Sequence, residues 1–200
     1  MADSVKQKIL KTIDAHGYGW AFCARDFMPA LKRNDIDTAL FHLEKEAKIR
    51  KVMRGIYDYP LFSKMLNRKV SPDLEQVAAA IARDFQHEMQ PTGNAALNRL
   101  NLSTQIPALY TYLWNARSRD FQIGTQTIHF HSASKRDFSP KLLQSRLVVQ
   151  SLRILNLTLI DDGIKERLKK CFNRQQWLKI QADTTGVSNR IYQQICELAQ

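Results

Sequence analysis

The stretch RNDIDTALFHLEKEAKIRKVMRGIYDYP, Arg33–Pro60, decides how the first part of the chain folds. Its front half predicts a helix, because Ile36, Leu40, Leu43 and Ala47 recur at helical spacing and make one buried stripe. Asn34 stands just ahead of that stripe as a candidate N-cap. Asp35 and Asp37 fall in the first turn, where the helix dipole favours anions. Thr38, Phe41, His42 and Lys45 lie off the stripe, and Phe41 is expected to pack on Trp20 or on the following hairpin. The chain then turns extended. Ile49-Arg50-Lys51-Val52-Met53 alternates by twos, and Arg54-Gly55 makes a tight turn in which glycine reaches positive φ without strain.

Upstream of this stretch, Ser4–Ala15 reads as a helix with Val5, Ile9, Leu10 and Ile13 inside, ended by Gly17 and Gly19. Trp20-Ala21-Phe22 fits a short strand. Arg25–Leu31 fits a short helix despite Pro29, with Phe27, Met28 and Leu31 as core candidates. Helix, strand, helix, turn, helix and hairpin is the order of a winged helix-turn-helix. In that plan the last helix enters a major groove, and the wing tip rests on phosphates or the neighbouring minor groove. The side chains such a fold presents to DNA are Arg33, Asn34, Thr38, His42, Lys45, Lys51 and Arg54. Lys and Arg suit phosphates, and Thr38 and His42 suit base edges. The competing reading is a solvated polar helix face in a domain that makes only protein contacts.

Charge agrees with a polyanionic partner. The net charge is +11, and residues 1–70 carry 14 Lys/Arg against 8 Asp/Glu, a balance of +6. The remaining +5 lies in residues 71–200, so charge alone does not assign binding to one half. Cys23, Cys171 and Cys196 are odd in number and widely spaced, which argues against a disulfide framework or a structural zinc site and for a reducing compartment. Cys23 beside Arg25 is a small buried residue or a thiol of lowered pKa. No run approaches the roughly 18 apolar residues of a membrane span, and no signal peptide is evident. A cytoplasmic protein is expected.

Further along, Leu61–Val70 reads as a basic connector. Ser71-Pro72-Asp73 starts a helix over Leu74–His87 that buries Val77, Ala78, Ile81, Ala82 and Phe85. Thr92-Gly93-Asn94 opens an Ala-rich helix to Leu100. Leu109–Trp114 reads as a strand, and Asp120–Ile123 with Gln126–His131 as a hairpin turning at Gly124-Thr125. A helix with Leu143, Leu147, Leu152 and Leu155 inside follows Ser139-Pro140, and Asp161-Asp162-Gly163 breaks it. Val187, Ile191 and Ile195 mark a last amphipathic helix. The fold class is α+β, with a winged helix-turn-helix domain over residues 1–62 and a mixed helical and β-hairpin domain over 63–200.

IRKVMRGIYDYP, followed by PTGNAALNRLNLSTQIP and a strand, resembles bacterial AbiEi-type antitoxins. The pieces are Arg54-Gly55-Ile56-Tyr57, Thr92-Gly93 through Ala95-Ala96, the Leu102–Pro107 loop, and Phe121-Gln122-Ile123-Gly124, within about Ser4–Phe138. The resemblance implies a repressor that controls its own promoter and an antitoxin that counters a nucleotidyltransferase-like toxin without needing a stable complex with it. His42 departs from the longer basic side chain expected at that place.

Catalysis has no visible home in the sequence, and no cofactor is implied. His129 and His131 share a strand face as metal ligands would, but no acid or Cys is close in sequence to complete a set. Asp120 with Gln122 lacks a third carboxylate or a lysine at nuclease spacing. Lys165, Lys169, Lys170 and Arg174 form a possible second basic surface, facing nucleic acid, a toxin or tRNA, or only solvent. Besides the repressor and antitoxin, a nucleic-acid-processing enzyme and a protein-interaction adaptor stay open.

Overall fold

A computed structural model describes residues 4–28, 30–103, 110–155 and 162–200. The chain is mixed α+β and divides into two compact units, Met1–Glu88 with Phe121–Ile128, and Met89–Asp120 with His129–Gln200.

In the first unit, α1 (Val5–His16) begins at a capping box. The Gln7 N–H donates to the Ser4 hydroxyl at 3.3 Å, and the Ser4 N–H to Gln7 Oε1 at 2.9 Å. β1 (Ala21–Cys23) follows, then a single 3-10 turn, Ala24–Phe27, where a longer helix to Leu31 is expected from the sequence. Asp26 anchors the start of this turn. Its carboxylate accepts the Cys23 N–H at 2.9 Å, and Arg83 Nε grips its other oxygen at 2.7 Å. Met28, just past the turn, is 41% exposed rather than in the core.

Next comes α2 (Arg33–Lys45), which buries Ile36, Ala39, Leu40 and Leu43 in a core with Ile9, Ile13, Phe22 and Phe27. Two expectations fail at its ends. Lys32, not Asn34, occupies the N-cap position, so Asn34 sits inside the first turn. Ala47 leaves the stripe, because its φ of +56° turns the chain left-handed and points it outward. The Ala47 N–H donates to Glu44 O at 2.9 Å and the Lys48 N–H to Leu43 O at 3.1 Å, which satisfies the last carbonyls. β2 (Arg50–Met53) and β3 (Ile56–Asp58) then form the hairpin, in a sheet ordered β1-β3-β2 and antiparallel throughout.

Leu61–Val70 is not a loose connector. It folds as a second small hairpin from β4 (Phe62–Ser63) and β5 (Arg68–Lys69). Asp73 rather than Ser71 caps α3 (Leu74–Asp84), accepting the Glu75 N–H at 2.9 Å. The Ala-rich face of α3 packs on β1 and β3. The first unit thus takes in α3 and runs to Glu88. Phe85 falls beyond the last helical turn and is 38% exposed.

The second unit opens with β6 (Met89–Pro91), a strand the sequence pattern does not announce, and α4 (Gly93–Arg99). β7 (Tyr110–Trp114), β8 (Arg119–Ile123) and β9 (Gln126–Ser132) follow in a sheet ordered β6-β7-β9-β8, of which Phe121–Ile128, the end of β8 and the start of β9, is counted with the first unit. Helices α5 (Leu143–Ile154), α6 (Asp162–Lys170), α7 (Arg174–Asp183) and α8 (Asn189–Leu198) follow. Leu147, Val148, Leu152, Leu168, Trp177, Ile180, Ile191 and Ile195 form their common core. Leu143, expected inside, is 56% exposed at the first position of α5. Asp162 and Gly163 begin α6 rather than break a helix. The expectations for Pro29, Asp161, the first residue of the Leu109 strand and most of the Leu102–Pro107 loop lie outside the described residues.

Candidate nucleic-acid interface

The buried side of α2 fixes what its other side offers. With Ile36, Ala39, Leu40 and Leu43 facing the core, Asn34, Thr38, Phe41 and Lys45 recur at intervals of four, three and four residues along the opposite face. All four are exposed, and none is acidic. The Thr38 hydroxyl donates to Asn34 O at 2.9 Å, which fixes its rotamer and leaves its methyl and a lone pair outward. Lys45 Nζ lies 4.5 Å from the centroid of Phe41, and the His42 ring meets the same phenyl edge-on at 5.7 Å. Phe41 therefore belongs to the outer face, half exposed, instead of packing on Trp20 or the hairpin.

Arg33 differs from the other candidate cations. Its Nε holds Asp37 Oδ2 at 2.9 Å, and that hydrogen bond moves the guanidinium further up from its ordinary range. Part of its charge is already answered within the helix. Lys51 and Arg54 on the hairpin are exposed and have no partner among the described residues. Gly55 takes φ +81° at the turn, with the Asp84 carboxylate 3.7 Å from where a Cβ would sit.

The hairpin is braced from below. Arg50 reaches across to Asp58, Nε to Oδ1 at 2.9 Å with a second short bond to the other oxygen, and its Nη1 donates to Val70 O at 2.9 Å. Asp58 is 1% exposed, so this pair is internal. Sequence reasoning missed it, although two residues of opposite charge flanking a tight turn were the available signal.

The second candidate surface is less coherent. Lys165, Lys169 and Lys170 stand on α6, but Arg174 begins α7 after a break at Cys171–Asn173, so the four do not share one helix face. Lys165 and Lys169 line a cleft of about 250 Å³ together with Asp162, Glu166 and Glu197, which makes its charge mixed.

Strand pairing supplies what sequence distance hid at His129, whose Nδ1 lies 2.9 Å from Asp120 Oδ1. Among the described residues no group of three His, Cys, Asp or Glu is placed to hold a metal. The Cys23 thiol is pushed up to about 11 by burial and by Asp26, the reverse of an activated nucleophile. No helix among the described residues is long and apolar enough to cross a membrane.

Among curated proteins none matches the sequence. The profile of a family described as one of unknown function, DUF6088, matches residues 8–180, and the chain belongs to that family.

Proposed function

We propose that the protein is a DNA-binding transcriptional repressor whose first unit works as a winged helix-turn-helix. In this reading α2 enters the major groove and the β2–β3 turn is the wing. The observations that carry it are the acid-free outer stripe of α2, Asn34, Thr38, Phe41 and Lys45, and the exposed, unpartnered Lys51 and Arg54 of the hairpin that follows it in the chain. The sheet order β1-β3-β2 behind the helix supports the same plan. Asn34 and Thr38 lie toward the front of α2, the part of a recognition helix that meets base edges, and an Asn amide suits the N6 and N7 of adenine. Lys45, Lys51 and Arg54 neutralise phosphates.

Binding of the full chain to a duplex from its own upstream region, titrated with salt, tests the reading. Wild type binds with a steep salt dependence, and Lys51→Gln with Arg54→Gln lowers the slope of log K against log salt by about two units. A slope the same in both proteins, or no binding at low salt, removes the reading.

The antitoxin role rests on the resemblance to AbiEi-type proteins. It assigns the second unit to countering a nucleotidyltransferase-like toxin without a stable complex. The full chain carrying Lys51→Gln and Arg54→Gln then still rescues cells that express the toxin gene beside its own. Absence of rescue by the wild type removes the antitoxin role and leaves the repressor untouched.

A further inference from the structure

The hairpin Leu61–Val70, LFSKMLNRKV, has a surface unlike the rest of the first unit. Leu61, Phe62, Met65, Leu66 and Val70 are 48%, 53%, 91%, 52% and 38% exposed. Five large apolar side chains in the open within ten residues call for a partner, because isolated exposed apolar residues are ordinary but clusters of them are not. The chain between Asp58 and Asp73 holds no acid, while Lys64, Arg68 and Lys69 are interleaved with the apolar residues.

The tip is also preorganised. Asn67 takes φ +47°, the Leu66 N–H donates to the Ser63 hydroxyl at 3.2 Å, and the Val70 N–H closes the base on Leu61 O at 2.8 Å. Lys69 Nζ donates to Ala47 O at 3.1 Å, just past α2, and Arg50 holds Val70 O from β2. Two hydrogen bonds thus tie this hairpin to the end of the candidate recognition helix and to the wing. Lys64 and Arg68 are exposed with no partner among the described residues.

We propose that β4–β5 is a second DNA arm, in which Lys64 and Arg68 sit on phosphates and Met65 with Leu66 forms an apolar wedge in the minor groove, kinking the duplex. The inference rests on the reading of the first unit as DNA-binding. Charge selects the occupant. An apolar tip with cations on either side and no acid fits a groove edged by phosphates, where Met and Leu side chains unstack a base step. Attachment to α2 and β2 through Ala47 and Arg50 makes the arm part of the same docking surface.

The test uses the full chain and a 30-base-pair duplex from the upstream region, with dyes at its ends so that affinity and bending are read together. Met65→Ser with Leu66→Ser is expected to weaken binding by about tenfold or more for each apolar side chain removed, about a hundredfold together. It also straightens the bound duplex and leaves the salt slope unchanged. Lys64→Gln with Arg68→Gln is expected to lower the slope by about two units. All four side chains are exposed, and equal melting temperatures establish that the variants are folded.

Wild-type affinity, bend and slope in both hairpin variants, while Lys51→Gln with Arg54→Gln lowers the slope, overturns the arm and leaves the DNA reading standing. No binding by the wild type at any salt removes both. A hairpin variant that keeps DNA binding and bending but loses flotation with anionic phosphatidylserine vesicles, or loses self-association, overturns the arm in favour of a membrane or a second copy.

Discussion

Ala47 ends the candidate recognition helix in a conformation glycine adopts more easily. Its φ of +56° brings the methyl against its own backbone, a strain of about 1–2 kcal/mol that the two closing hydrogen bonds hold in place. Ala47→Gly is expected to raise stability by about 0.5–1 kcal/mol, the relief of strain less the added freedom of the unfolded chain. A denaturant titration with unchanged slope and a higher midpoint checks it. Arg50 predicts the opposite sign. Arg50→Met leaves the carboxylate of Asp58 buried without its guanidinium, at a cost of about 3–5 kcal/mol. Arg50→Met with Asp58→Leu recovers much of that loss, because the charge goes with its partner. Equal stabilities of the single and double variants would show that the pair carries no internal charge balance.

At the scale of elements, close approach is decided at Gly93, the first residue of α4. A Cβ there would meet Ile154 Cγ1 at 2.4 Å and the backbone O of Gln150 at 2.7 Å. The isoleucine has room to rotate, but a helix carbonyl has not. Gly93→Ala is therefore expected to cost about 1–3 kcal/mol, read as a lower melting temperature. The same comparison explains which elements the sequence made legible. Helices α1, α2 and α8 and the β8–β9 hairpin carry long periodic patterns or a Gly turn, and the residues Ile9, Ile13, Leu40, Leu43, Ile191 and Ile195 are buried as their spacing predicts. Three-residue strands such as β6 are too short for a period to show. The 3-10 turn over Ala24–Phe27 is held by a pair between Asp26 and Arg83, 57 residues apart, a partnership local patterns do not contain. In the candidate site, the outer stripe of α2 followed from its inner one. The apolar basic hairpin after it did not, because a run of Leu, Met and Lys has the same composition in a coil as in a strand.

Across the whole molecule, charge ties stability and function to solution conditions. In the second unit burial works to raise the Asp137 carboxyl, but hydrogen bonds from Ser134, at 2.9 Å from the hydroxyl, and pairing with Arg153 outweigh it and leave it below the ordinary range. Burial likewise opposes the Leu142 and Lys141 N–H groups at Asp183, with the same outcome. A carboxyl held below its unfolded value stabilises the fold fully at neutral pH and loses that contribution as pH falls through the folded value. Melting temperatures are therefore expected to drop below about pH 4, and Asp137→Asn, already less stable at pH 7, should show a shallower acid limb. An acid limb identical in variant and wild type would contradict the role of Asp137. If the first unit binds DNA as proposed, the excess of positive charge supplies affinity for any duplex but no sequence preference. Preference has to come from the front of α2. The direct measurement is competition between an upstream duplex and a scrambled duplex of equal composition, with wild type and with Asn34→Ala plus Thr38→Ala, at one salt concentration. The expected result is a preference for the upstream duplex that falls at least tenfold in the variant, while binding to the scrambled duplex stays the same. A wild type that binds both duplexes equally, or a variant that keeps the full preference, would contradict a recognition helix at α2.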